Sequence, residues 1–274
     1  MSGVTPAYGG LTFLNNSTIL LGSSANSSQG AIQAIQVNRD GNGHITDFGA
    51  VTQYATAPNM DGGLAFGPGG VLFATGYGTN TLMQYLPGST SPDKTITLDS
   101  ATNSVGTVQF IGTGNPNAGS LIIGSYANNK WFIPTLTPDG NGTWDVTALT
   151  EVEASSGGVE GIVYVPTGSA GFTGAKGLVT HYDAGVIRAY DLNSFGAPVS
   201  GTGQDFVTGL TGAEGATIDP VTGDFLFSTF GGGNHIIQVQ GFVPPASETP
   251  EPATFGVLGL SLVALGYRFR TRRS

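Results

Sequence analysis

Glu160-Gly161-Ile162-Val163-Tyr164 and Glu214-Gly215-Ala216-Thr217-Ile218 share one pattern: an acid, a glycine, then a short apolar run. Three looser relatives precede them: Gly9-Gly10-Leu11-Thr12-Phe13, Gly62-Gly63-Leu64-Ala65-Phe66 and Val105-Gly106-Thr107-Val108. From glycine to glycine the spacings are 53, 43, 55 and 54 residues. Self-similarity at a period of about 50 residues marks propellers and solenoids, where each repeat is one supersecondary unit stacked on its neighbours.

A second apolar run follows each opening: Ile19–Gly22, Val71–Thr75, Leu121–Gly124, Gly177–Thr180 and Phe225–Thr229. Such near-continuous runs suit strands buried on both faces. Third runs alternate in polarity at Ile32–Val37, Thr81–Tyr85, Val186–Tyr190 and Ile236–Val239, as expected for half-exposed strands farther from the centre. Asp40-Gly41-Asn42-Gly43, Pro87-Gly88-Ser89, Asp139-Gly140-Asn141-Gly142 and Asp191-Leu192-Asn193-Ser194 then supply hairpin turns, whose positive φ angles favour Gly, Asn and Asp. Fourth strands fit His44–Phe48, Lys94–Leu98 and Trp144–Val146. Three to four antiparallel strands per unit describe a propeller blade, so the fold class is an all-β β-propeller over residues 1–241. Five blades are visible. The openings and second runs resemble the blades of NHL- and lactonase-type propellers, a likeness of fold that carries no activity. Because the fifth blade ends after three strands and Pro6 interrupts Met1–Tyr8, a further blade upstream of Met1 is expected.

Gly accounts for 45 of 274 residues and charged residues for 10 %, a composition suited to short strands and tight turns. With Arg268, Arg270, Arg272 and Arg273 set aside, the basic residues are Arg39, Lys94, Lys130, Lys176 and Arg188, and residues 1–247 carry a net charge of −11. That surface repels phosphates and excludes a nucleic-acid partner. The absence of Cys excludes disulfides, thiol catalysis and thiolate metal sites.

Asp61, Glu160 and Glu214 each stand directly before an opening glycine. In a propeller those positions ring the axis at one mouth. Converging carboxylates there are candidate ligands for Ca²⁺, which takes oxygen donors; the alternative is solvent-facing turn caps. His181, ending a second strand, is a candidate to join Glu160 and Glu214 as a general base, the basis of an alternative reading as a secreted metal-dependent hydrolase or lyase. His44 and His235 read as packing or hydrogen-bonding residues. Asp40-Gly41-Asn42 opens like a Ca²⁺ loop, but Ile45 and Val51 occupy the places of its Gly and Glu, so it reads as a hairpin turn. Gly231-Gly232-Gly233 has no following Lys and is no phosphate loop.

Beyond a proline-bearing linker at 242–249, the end of the chain changes character. Pro250, Glu251 and Pro252 are followed by an uncharged run carrying Phe255, Val257, Leu258, Leu260, Leu262, Val263, Leu265 and Tyr267, then by the four arginines. Prolines stop regular structure, the run partitions into lipid as a hydrophobic helix, and arginines stay on the cytoplasmic side. Residues 250–274 resemble the PEP-CTERM sorting signal. That resemblance implies exosortase as a partner, with Pro250–Pro252 as its recognition element and Arg268–Arg273 as the retention element. It further implies transit through the inner membrane, then a cell-surface or extracellular location and contact with extracellular polysaccharide or a surface protein. A plain tail anchor and a core helix are the alternatives; thirteen residues reach only about 20 Å as a helix, against a hydrocarbon core of about 30 Å. Met1–Pro6 has neither the basic nor the apolar region of an export leader, so an upstream start is expected.

Overall fold

The five openings become the innermost strands of five sheets arranged around one axis. The computed structural model describes residues 2–99 and 102–242. Blade 1 contains β1 (Leu11–Asn15), β2 (Thr18–Ser23), β3 (Ala31–Arg39) and β4 (Ile45–Thr56), in that spatial order. Blade 2 contains β5 (Met60–Phe66), β6 (Leu72–Gly76), β7 (Thr81–Tyr85) and β8 (Lys94–Thr97). Blade 3 follows with β9 (Val105–Phe110), β10 (Leu121–Ser125), β11 (Lys130–Pro138) and β12 (Trp144–Ala154). Blade 4 holds β13 (Val159–Tyr164), β14 (Lys176–His181), β15 (Val186–Asp191) and β16 (Gln204–Val207). Blade 5 has three strands among the described residues: β17 (Ala213–Ile218), β18 (Phe225–Thr229) and β19 (Ile236–Val239). Every neighbouring pair within a blade is antiparallel.

The apolar runs form the core. β6, β10 and β18 are buried along their whole length, because each packs against the flanking blade on both faces. Phe73, Val108 and Ile123 meet between blades 2 and 3, and Leu178, Ile187 and Phe227 between blades 4 and 5. β11 contains Pro134, which a central strand would not tolerate. The β10–β11 ladder ends at Ile123 and Phe132, so Pro134 pairs only with Leu149 of β12. The Asp40 and Asp139 turns are hairpins: Asp40 Oδ1 accepts from Asn42 N at 2.9 Å, and Asp139 Oδ1 from Asn141 N at 2.8 Å.

Glycine at the axis is a matter of space. A Cβ on Gly62 would fall 2.0 Å from the Glu160 carbonyl oxygen, and one on Gly215 would fall 2.7 Å from Gly10 Cα. A hydroxyl on the second strand stitches adjacent blades at the same level. Thr75 Oγ1 accepts from Gly63 N at 3.0 Å and donates to Gly106 O at 3.1 Å. Ser228 Oγ accepts from Gly215 N at 2.9 Å and donates to Gly9 O at 2.5 Å.

That last bond joins blade 5 to blade 1, so the ring closes with five blades and the expectation of a sixth is corrected. A clasp on the outside completes the seam. Arg39 at the end of β3 forms a two-pronged pair with Asp219, at 2.6 and 3.0 Å, and also donates to the Asn16 and Gly43 carbonyls. His44 Nδ1 lies 2.6 Å from Asp224 Oδ2, which also accepts from Gln238 Nε2 at 2.7 Å. These side chains, about 180 residues apart, reinforce the closure.

After β19 the chain reaches Phe242, which packs with Phe172, Phe206 and Phe225 at centroid distances of 5.3, 5.3 and 5.9 Å. Phe242, placed in the linker by sequence, thus lies on the propeller core. Since Phe225 pairs with Val239 and Ala213 with Thr229, this exit is at the end of blade 5 opposite Glu214. The sorting-motif, membrane and arginine positions lie outside the described residues. Among the described residues no helix is long and apolar enough to cross a membrane.

Candidate functional site: the axial mouth

The acids that open β5, β13 and β17 sit at breaks in strand register. Val159 pairs with His181 and Gly161 with Thr180, which leaves Glu160 as an extra residue. In blade 5 the register jumps between Ala213 and Ala216, around Glu214, and in blade 2 between Met60 and Leu64, around Asp61. Such bulges turn a side chain away from the alternation of the strand. Here they bring three carboxylates to the axis.

Asp61, Glu160 and Glu214 each offer an oxygen, and these oxygens lie within 4.8 Å of one another. The residues are 1 %, 3 % and 1 % exposed. One oxygen of each carboxylate, Asp61 Oδ2, Glu160 Oε2 and Glu214 Oε2, has no hydrogen-bond partner. Asn26, with its amide nitrogen facing inward, donates to Asp61 Oδ1 at 3.2 Å and to the Met60 carbonyl at 3.1 Å. Burial pushes the Asp61 carboxyl up to about 8. Glu160 is raised well above the carboxylate range by burial and then by the charges of Asp61 and Glu214. Glu214 is raised by burial and then by Asp61.

No basic residue of the described chain answers this charge, because each is paired elsewhere. Arg39 is held by Asp219, Lys94 by Asp139 and Asp145, Lys130 by Glu151, Lys176 by Asp191, and Arg188 by Asp205. Unpaired buried carboxylates cost stability; Asp61 and Glu160 offset part of that cost by hydrogen-bonding each other and the Gly62 backbone.

A cup of about 220 Å³ opens above the triad, with Glu160 and Glu214 in its floor. Its wall is aromatic and encoded by the repeat. The residue directly after the second strand is Tyr77 in blade 2, Tyr126 in blade 3, Tyr182 in blade 4 and Phe230 in blade 5. Each is fixed by the same backbone bond to a carbonyl just ahead of its own innermost strand: Asn59, Ser104, Gly158 and Gly212, at 2.7, 2.9, 2.8 and 2.8 Å. Blade 1 has Ser24 at this step, bonded to the Thr5 carbonyl at 3.0 Å. Tyr126 meets Tyr182 edge-on at 6.3 Å, and Tyr182 meets Phe230 at 5.8 Å. The Tyr126 hydroxyl donates to Asp183 Oδ1 at 2.9 Å.

The structure therefore brings together all three acids singled out from sequence and adds an aromatic collar that the reading missed. The signal was present: aligning the ends of the second strands puts an aromatic residue at one step in four of five repeats. His181 does not join the acids. Its Nδ1 lies 2.7 Å from the Gly157 carbonyl and its Nε2 2.8 Å from the Tyr190 hydroxyl. It is packed with Val159 and Trp131 around a small cavity, and burial lowers its pKa. The expectation that it faces the mouth as a base is corrected: the alternation of β14 turns it between blades.

Residues 248–273 match the PEP-CTERM protein-sorting motif. No curated protein matches the chain. Among solved structures, Myxococcus xanthus glutaminyl cyclase is 12 % identical with a TM-score of 0.51, over 88 % of this chain and 95 % of that one. An auxiliary nutrient binding protein from Bacteroides ovatus is also 12 % identical with a TM-score of 0.51, over 83 % of this chain. The present chain spans 57 % of the length of that protein. A 6-phosphogluconolactonase candidate from Bacteroides uniformis is 15 % identical with a TM-score of 0.46, over 87 % and 68 %. At these identities the likeness is one of fold. The chain is a five-bladed β-propeller carrying a PEP-CTERM sorting motif, which implies export by membrane transit and processing by an exosortase.

Proposed function

We propose that the chain is a surface-displayed or extracellular binding protein whose axial mouth receives a cation. The sorting motif supports export, with Pro250, Glu251 and Pro252 read by exosortase. The run from Phe255 to Tyr267 lodges in the inner membrane, and Arg268, Arg270, Arg272 and Arg273 hold it there. Contact of the sorted propeller with extracellular polysaccharide belongs to the same reading.

One observation carries the cation site: three buried carboxylates converge with an oxygen of each unpartnered and no basic residue beside them. Oxygens no more than 4.8 Å apart suit an ion that holds each at about 2.3–2.6 Å, the range of Ca²⁺. Among metals Ca²⁺ is thus the fitting occupant, held by Asp61, Glu160 and Glu214. The hydrolase reading loses the His base assigned to it, because His181 is engaged by Gly157 and Tyr190.

Two experiments test this. Behind a working export leader, the full chain should lose its tail in a host with exosortase and keep it in a host without. An intact tail in both would sink the sorting reading. Calorimetry with Ca²⁺ on the wild type and on the Glu160→Gln, Glu214→Gln pair should give heat only for the wild type; equal traces would remove the metal.

A further inference from the structure

We infer that the mouth recognises an organic ammonium group, seated on the Glu160 and Glu214 carboxylates and enclosed by the aromatic collar. The inference rests on the triad being a cation site and names the class of cation the cup prefers.

A bare metal ion uses the floor and leaves the collar without a role. Ca²⁺ is strongly hydrated and gains its energy from oxygen ligands. The cup of about 220 Å³ far exceeds the roughly 10–15 Å³ a cavity needs to hold one water, so it has room for an organic group. A weakly hydrated alkylammonium ion is attracted both by carboxylates and by aromatic rings, and aromatic cages are the usual receptors for such ions.

The collar is built rather than accidental. Four blades put an aromatic residue at the same step, each tied by the same backbone bond. Tyr77 is 45 % exposed and lines the cup from its open side. The unpartnered Glu160 and Glu214 oxygens lie beneath, on residues at least 97 % buried. The wall offers no basic side chain to repel a cation, since every one in the described chain is paired elsewhere.

The test is titration of the full chain with tetramethylammonium chloride, with equal NaCl and CaCl₂ alone as separate arms. The wild type should bind tetramethylammonium, and Ca²⁺ should compete for the floor. Glu160→Gln with Glu214→Gln should abolish binding of both ions. Tyr182→Leu and Phe230→Leu should each weaken tetramethylammonium by about threefold to tenfold, as expected for loss of one cation–π contact, and leave Ca²⁺ unchanged. Tyr77→Leu, at an exposed ring, gives the same readout without risk to the core. If Ca²⁺ binds and tetramethylammonium does not, the inference falls and the metal reading stands. If tetramethylammonium binds but ignores all three ring substitutions, the collar has no part and the inference is overturned. If neither ion binds, both fall.

Discussion

The closure seam and the axial mouth both bury carboxylates, and they treat them in opposite ways. At the seam, Asp219 is matched by both prongs of Arg39, and Asp224 by His44 and Gln238. At the mouth, Asp61, Glu160 and Glu214 face one another with no positive partner. Paired charge joins two blades that sequence separates by most of the chain. Asp61 and Glu160 hydrogen-bond each other and the Gly62 backbone, but one oxygen of each acid stays unpartnered, and a cation from outside the chain would supply the missing counter-charge. The contrast separates side chains that hold the ring from those that serve a ligand.

Breaking the seam should cost most. Arg39→Met leaves Asp219 buried without its partner, a loss of roughly 3–5 kcal/mol by analogy with other broken buried pairs, read by chemical denaturation. At the mouth the sign reverses. Glu214→Gln removes a buried carboxyl whose ionisation burial opposes, and without added cation should raise stability by about 1–2 kcal/mol, the gain growing as pH rises. Equal losses at the two places would erase the distinction.

A pH series sharpens it. The mouth carboxyls titrate higher in the folded chain than in the unfolded one, Asp61 at about 8 against an unfolded value near 4. The folded state therefore keeps protons that the unfolded state has lost, and its stability falls as pH rises from about 4 to 8. Ca²⁺ should flatten that slope by displacing the protons, so its stabilising effect grows with pH. The seam contributes the smallest term. His44 is raised above 6.5, chiefly by its hydrogen bond with Asp224. Its contribution is full below 6.5 and lost as pH rises through the folded value, so His44→Gln should weaken the protein at pH 5 and have little effect at pH 9.

Much of the ring was legible because its cues are local. Buried second strands are continuous apolar runs, and Asp-Gly-Asn-Gly turns declare themselves. β16 at Gln204–Val207 was missed because four residues among glycines carry too little pattern, and β11 because Pro134 argues against a strand. The approach of the acids followed from their place in the repeat. The bulges that turn them inward did not, since an extra residue in a ladder leaves no mark on sequence. Closure through Arg39 and Asp219 was equally hidden, because no local rule links side chains 180 positions apart.

The central claim is best tested by ¹³C NMR titration of the side-chain carboxyls in the cation-free full chain. The account predicts that Asp61 titrates near 8 with Glu160 and Glu214 well above the ordinary range, and that added Ca²⁺ drives all three down. Three carboxyls titrating near 4 and indifferent to Ca²⁺ would contradict it.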